Sequence, residues 1–446
     1  MYLMKGMNGT MIRKIRSNWL PILLTIAIVV SLLLSWATWT NPSRDNSTDT
    51  DESSSTTAKV TNRAISDVFL PTQIIKNNTD GTQNLMYPKK RNLVVSAQQI
   101  LQKWKFGRVE KLSTGSHSKY LSYLQRKDSL VMSYNDAVTT SVLNKVYDQS
   151  INTKKISKVQ RIVVPRHNPK YIYLLNDDGF KVYRAKISKF SSMKLLRQIT
   201  GESAKRYPIK TRLLNKTIII DYTKPIKVPT YSYLLSKQTG NSFMSTLMNA
   251  DQNESVSMHT EDNVTTYTDG TDKRMSVDNS TSMVTYENFA SKDRSYSDSE
   301  LLTDSFKKLT TIGVPLDNTR FESVDNSKNV VTYRDYVGGI PIYNSNNYGT
   351  MTVSYSSNNV QRYTFSLFSL QVPVPNKLDS KELPSTDEVI SSLEAKGINE
   401  KDIKGIRLEY EWKASESSDM VIDLEANYYV NYNNQWVKYT DVTNSD

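Results

Sequence analysis

Hydrophobic and polar positions divide the chain into three textures. Residues 20–37 form an apolar run without a single charge. Residues 40–62 are dominated by Ser, Thr, Asp and Asn and hold almost nothing apolar. From residue 64 onward apolar positions recur at short spacing between turn residues, as in a folded protein. The run 68–75 predicts a strand. Residues 97–112 predict a helix, with Ile100, Leu101, Trp104 and Val109 on one side. A strand follows at 129–134 and a helix at 136–147. Residues 159–164, 171–175 and 180–187 are β-like, and Asn176-Asp177-Asp178-Gly179 is a turn between the last two. Residues 217–220 form another β run, and 224–229 a connector containing two prolines.

Past the connector, 230–235 predicts a strand and 242–248 a short helix. Polar, alternating strands follow near 264–268, 274–277 and 283–289, as in an antiparallel sheet with one wet face. The C-terminal part repeats a helix followed by strands. One copy has its helix at 298–309 and strands at 321, 330–337, 351–355 and 360–370. The second has its helix at 386–396, opened by Ser385, and strands at 406–412, 421–431 and 436–439. The expected class is α+β, mainly antiparallel sheets with packed helices, behind an N-terminal transmembrane helix. The expected organisation is a basic tail at 1–18, a membrane span at 19–39 and a flexible tether at 40–63. A basic α+β domain at 64–228, a β-rich region at 229–297 and a C-terminal α+β region at 298–446 complete it.

At ~1.5 Å per residue, residues 20–37 cover about 27 Å of a hydrocarbon core about 30 Å thick. Trp19 stands at one end and Trp36 and Trp39 at the other, where amphipathic rings favour the interface. Lys5, Arg13, Lys14 and Arg16 precede the run with no acidic residue among 1–18. The positive-inside rule then places the N-terminus in the cytoplasm and the bulk of the chain outside. Ser35-Trp36-Ala37 also offers small residues for a signal peptidase, but the run exceeds the ~7–15 residues of a signal h-region. Ala27, Ser31 and Ser35 share one face of the span, a pattern that permits close helix approach in lipid.

Charge and cysteine usage sharpen this picture. There is no cysteine among the 446 residues, which excludes disulfides, thiolate metal sites and a lipidated cysteine. Residues 64–230 hold 31 Lys and Arg against 10 Asp and Glu, whereas residues 231–446 hold 19 against 31. The basic half either balances the acidic half or meets an anionic surface such as lipid headgroups or a wall polymer. Nucleic acid is not an expected partner for an extracytoplasmic domain.

The residues offer little chemistry. His117, His167 and His259 lie far apart in sequence, with no zinc-type spacing. Ser116/Lys119 and Ser305/Lys308 have the spacing of a Ser-x-x-Lys nucleophile but lack its companion elements. Glu409 and Glu411 share a face of one strand, read as the wet face of an edge strand rather than a glycosidase pair. Tyr428, Tyr429, Tyr432, Trp436 and Tyr439 form an aromatic cluster, split between core and surface. No catalytic residue, metal or cofactor is expected.

Several segments resemble the YycH family of Gram-positive bacteria. They are the N-terminal span, Phe69-Leu70-Pro71-Thr72-Gln73-Ile74-Ile75, Lys224-Pro225 through Thr230-Tyr231, residues Tyr333 to Tyr343, and Asn434-Gln435-Trp436-Val437-Lys438-Tyr439. The resemblance implies a membrane-anchored accessory regulator of the sensor histidine kinase WalK (YycG), which governs cell-wall metabolism. It also implies the related protein YycI as a partner and no catalytic residues.

Overall fold

The computed structural model describes residues 63–88, 92–166, 169–189, 204–248, 256–270, 272–290, 295–356, 360–416 and 418–443. The span expected at 19–39, the tether and the face Ala27, Ser31, Ser35 lie outside the described residues. Among the described residues no helix is long and apolar enough to cross a membrane. Every described residue belongs to one compact unit, Thr56–Asp446.

Nine antiparallel strands make the first sheet. They are β1 (Gln73–Asn77), β2 (Gln83–Pro88), β3 (Lys105–Ser113), β4 (Ser129–Thr139), β5 (Lys158–Pro165), β6 (Tyr171–Asn176), β7 (Lys181–Lys189), β8 (Ala204–Leu214) and β9 (Thr217–Tyr222). Their spatial order is β3-β7-β6-β5-β4-β1-β2-β8-β9. Both faces are covered, so neighbouring positions such as Leu130, Val131 and Met132 are all buried. Leu130 and Met132 join a cluster with Trp104 and the helices α2 (Leu93–Gln102) and α4 (Thr140–Tyr147). Val131 faces the other way, toward Tyr120 and Leu124 of α3 (His117–Leu124).

The second sheet holds most of the remaining strands. They are β11 (Tyr231–Lys237), β12 (Ser257–Glu261), β13 (Val264–Thr268), β14 (Lys273–Asp278), β15 (Met283–Asn288), β16 (Thr319–Asp325), β17 (Val330–Val337), β18 (Ile340–Tyr343), β19 (Thr350–Tyr355), β20 (Gln361–Ser366), β21 (Phe368–Val374), β23 (Ile403–Ser415), β24 (Ser418–Tyr432) and β25 (Gln435–Lys438). The path runs β12-β13-β14-β15-β20-β19-β17-β18-β23-β24-β11-β21, with β16 on β17 and β25 on β24. All pairings are antiparallel except β18 with β23, where Ile342 faces Tyr410. The short strands β10 (Ile226–Val228) and β22 (Lys381–Leu383) pair with each other. The connector expected at 224–229 is therefore partly a strand.

Local chemistry explains the helices of this half. Ser297 and Glu300 form a reciprocal capping box at the start of α6 (Asp298–Ile312), and Gly313 ends it at φ 90°. Ser385 and Glu388 do the same for α7 (Thr386–Ala395). The remaining helices are α1 (Ile65–Val68), α5 (Gly240–Met248) and α8 (Tyr439–Thr443).

Three expected elements are corrected. Residues 68–75 are not one strand: Val68 ends α1, and β1 starts only after Pro71, which cannot donate to a ladder. The helix expected over 97–112 stops at Gln102, and residues 105–113 pair with β7, Val109 facing Ala185. Gly107 is a poor helix former, and the second strand supplies the partners that a helix would have supplied locally. The helix expected over 136–147 begins at Thr140, because β4 runs on to pair Val138 with Val159.

Candidate functional site: a charged seam between two sheets

Two of the segments carrying the family resemblance, Phe69–Ile75 and Tyr333–Tyr343, meet between the two sheets. β17 turns into β18 through Gly338 and Gly339, at φ 59° and 87°. Val337 pairs with Ile340 across this tight turn, a conformation glycine adopts without steric cost. A Cβ on Gly339 would lie 2.8 Å from the carbonyl oxygen of Thr72. The Phe69–Ile75 segment and the Tyr333–Tyr343 segment thus pack backbone against backbone. Nearby, Asn135 and Asp136 at the far end of β4 reach β16. The Asn135 amide donates to the Glu322 carbonyl at 3.1 Å, and the Val324 amide donates to Asp136 at 2.9 Å. Burial raises the Asp136 carboxyl above its ordinary range, although the amides of Val324 and Ala137 oppose the shift.

The wall from the second sheet is a buried network. Arg407 Nη1 donates to Glu322 at 2.8 Å, and Arg407 also bonds Glu409. The Tyr336 hydroxyl donates to Glu322, and Arg334 approaches it at 3.8 Å while donating to the Ile342 carbonyl. The Glu322 and Glu409 side chains are 5% and 0% exposed. Burial alone would push Glu322 up, but Arg407 and Arg334 outweigh it and hold the carboxyl below its usual range. The second oxygen of Glu409 has no hydrogen-bond partner. The Arg407 guanidinium also lies 4.1 Å from the centre of the Trp436 ring.

The first sheet supplies a matching pair. Arg161 grips Asp177 with two hydrogen bonds, 2.9 and 2.6 Å, and Tyr120 donates to the same carboxylate. A third guanidinium bond reaches Ser133 at 3.1 Å. Between these walls lies a cleft of about 440 Å³, bordered by Arg161, Asp136, Ile218, Ile340, Arg407 and Trp436. Each buried guanidinium on these two walls, in Arg161, Arg334 and Arg407, faces a carboxylate, which is how a fold retains charge away from water.

The expected site residues distribute as follows. Glu409 and Glu411 belong to one strand, but the wet-face reading is wrong. β23 lies between β18 and β24, so Glu409 is fully buried against Arg407, and Glu411 is held by Lys438, Lys413 and Asn427. Ser116 caps α3 by accepting from the Lys119 amide, and Ser305 is buried against the Tyr333 hydroxyl at 2.7 Å. His117 packs its ring on Phe180, His259 lies on an exposed strand beside Glu261, and His167 falls outside the described residues. Tyr428 and Tyr429 are buried, while Tyr432, Trp436 and Tyr439 are half-exposed. Sequence reasoning missed Arg161, Asp177, Glu322, Arg334 and Arg407. Part of the signal was available: Arg161 and Arg407 interrupt apolar strand runs, and a charge there needs a buried partner, whereas Glu322 lies in a mainly polar strand.

Fold and seam together define an α+β protein of two large sheets, each presenting arginine–carboxylate pairs to the seam and linked across it by Asn135 and Asp136. Comparison with known proteins names the family. The model of the YycH protein N-terminal domain matches residues 17–202, and that of the YycH protein C-terminal domain matches residues 220–444. The chain belongs to the YycH family. Its structure is similar to the crystal structure of YycH from Bacillus subtilis, with TM-score 0.67 and 17% identity, covering 85% of this chain and 97% of that one. An uncharacterized protein from Eubacterium rectale matches at TM-score 0.31 and 12% identity over 52% of this chain and 88% of that chain. No curated protein matches the sequence.

Proposed function

We propose that this chain is a non-enzymatic, membrane-anchored regulator of the sensor histidine kinase WalK (YycG), acting together with the related accessory protein YycI. The observation that supports this reading is chain-wide membership of the YycH family, with both of its domains in order. An accessory protein shifts a two-state kinase only by binding one state more tightly, and a tenfold preference is worth about 1.4 kcal/mol. In this reading the segment 19–39 spans the membrane, the N-terminus is cytoplasmic, and the ectodomain meets the kinase outside. The face Ala27, Ser31, Ser35 contacts the kinase's own helices, since small residues let two backbones approach closely.

Ser31→Ile places a branched side chain on that face. Association with the kinase in a membrane two-hybrid assay should fall, and unchanged association would remove this face from the interface. Crosslinking of the full-length protein in its native membrane, followed by mass spectrometry, should recover a sensor kinase. Recovery of wall enzymes or polymer alone would overturn the regulator reading. The alternative, in which the basic half binds an anionic wall polymer, draws no support from the comparisons.

A further inference from the structure

Buried and half-buried arginines in this fold come with carboxylates: Arg161 with Asp177, Arg407 with Glu322 and Glu409, and Arg212 with Asp221 and Glu400. Half-buried Arg320 of β16 departs from this pattern. Among the described residues its side chain makes one hydrogen bond, from Nη1 to the carbonyl of the preceding residue, Thr319, at 2.7 Å. Among the described residues no carboxylate lies within 4.0 Å of it. The nearby acids are committed elsewhere. Asp335 accepts the Thr319 hydroxyl at 2.8 Å, Asp67 accepts the Ala64 amide at 3.2 Å, and Asp317 pairs with Arg63. Directly across the ladder stands Arg334, a like charge whose own guanidinium is taken by Glu322 and the Ile342 carbonyl. Burial pushes the Arg320 guanidinium below its ordinary range and Arg63 adds to this, while Asp67, Asp335 and Tyr336 oppose it.

Arg320 borders a cavity of about 370 Å³ on the opposite side of Gly339 from the charged cleft. One part of the remaining wall is apolar, from Pro71, Ile74, Met86, Leu93 and Val94, and the rest is polar, with Asn92, Asn318 and the Asp317 carboxylate that pairs with Arg63. The ten-residue helix α2 starts at this wall with no acidic residue in its first turn, so its positive end adds to the local potential. A guanidinium presents a planar fork of donors that matches a carboxylate bidentately. An apolar wall beside that fork selects a carboxylate attached to a compact hydrocarbon group.

We propose that this cavity binds the terminal carboxylate of an apolar peptide, with Arg320 as the anion-holding residue. The inference stands apart from the kinase reading, because neither the geometry nor its test involves a kinase. The probe is N-acetyl-alanyl-leucine against its C-terminal amide, titrated calorimetrically into the full-length protein in lipid nanodiscs. The acid should bind, and the amide should bind about tenfold or more weakly, the loss expected when a charge-assisted pair is removed. Arg320→Gln should erase the difference between acid and amide, and Arg320→Lys should keep part of it. Equal binding of acid and amide, or binding of neither, would overturn the proposal without reference to any variant. Binding of inorganic phosphate with none of the acid would overturn the carboxylate assignment. Should Arg320→Gln fail to fold, Val94→Phe fills the same cavity from another wall and should lower acid affinity by a comparable factor. Full affinity in a folded Val94→Phe protein would place the peptide elsewhere and sink the assignment.

Discussion

Arg407→Gln is the sharpest test of the seam. In the native protein one guanidinium holds two carboxylates that have almost no access to water, Glu322 at 5% and Glu409 at 0% exposure. Glu322 keeps a second cation, Arg334, at 3.8 Å. Glu409 keeps none that a hydrogen bond reaches, because its second oxygen is already unpartnered. Breaking a buried pair by removing one partner costs about 3–5 kcal/mol, since the stranded charge cannot be rehydrated. Loss of the Trp436 contact adds up to about 1 kcal/mol. Urea unfolding of the full-length protein, followed by tryptophan emission, reads the shift in midpoint. The pH dependence separates this mechanism from simple loss of packing. With Arg407 present, Glu322 titrates below its unfolded value of about 4.3, so its contribution is complete above that pH and fades as pH falls through the folded pKa. Without Arg407, burial raises the Glu322 carboxyl from its native position, and stability is lost as pH rises. The gap between native and variant protein should therefore be widest at pH 7–8 and narrow toward about pH 4.5. A gap below about 1 kcal/mol, or one of equal size at pH 5 and pH 8, would refute the reasoning. Replacing Arg407 and Glu409 together by Met should recover much of the loss, because Glu322 then keeps Arg334 and no buried charge is left without a counter-charge.

Two further predictions use the same seam. Burial raises the Asp335 carboxyl to about 6, with the Thr319 hydroxyl and Arg320 offsetting part of the rise. Its contribution is full below the unfolded value of about 3.9 and lost as pH rises through 6, so Asp335→Asn should stabilise the protein by about 1–3 kcal/mol at pH 8 and by little at pH 4. Equal urea midpoints for the two proteins at pH 8 would contradict this. Gly339→Ala should cost about 2 kcal/mol or more, because the residue holds φ 87° and its Cβ meets the Thr72 carbonyl at 2.8 Å. Gly338→Ala, at φ 59° with nothing within 4 Å, is the control and should cost only about 1 kcal/mol. Thermal unfolding of both variants isolates the contact between the two segments, and equal losses would show that the contact contributes nothing.

What the sequence makes legible follows the range of the interaction that decides it. Ser385 before a helix with Glu388 three positions on is a purely local signal, and α7 begins where that signal says. Residues 97–112 mislead for the opposite reason. Ile100, Leu101 and Trp104 continue to Val109 at helical spacing, but the last of these pairs with Ala185 on a strand far along the chain. Pairing of that kind, like the extension of β4 to Val138 opposite Val159, leaves no local trace. The aromatic cluster was legible as a group, and the burial of Tyr428 and Tyr429 is decided by β24 lying between β23 and β11.

The seam obeys the same rule at higher stakes. A two-residue period is enough to place Arg407, Glu409 and Glu411 on one face, and all three do belong to β23. Whether that face is wet depends on which strands flank it, and the parallel pairing of Ile342 with Tyr410 is invisible until β18 has been laid down. Gly338-Gly339 announces a tight turn in any sequence, yet the reason Gly339 tolerates no side chain is Thr72, which directly precedes β1 of the other sheet. A charge inside an apolar strand run is thus the one local mark that a distant partner must exist. Arg161 and Arg407 each carry that mark and each have the partner. Glu322 and Arg320 sit in the mainly polar strand Thr319–Asp325, where no such mark exists and only the assembled sheets decide their surroundings.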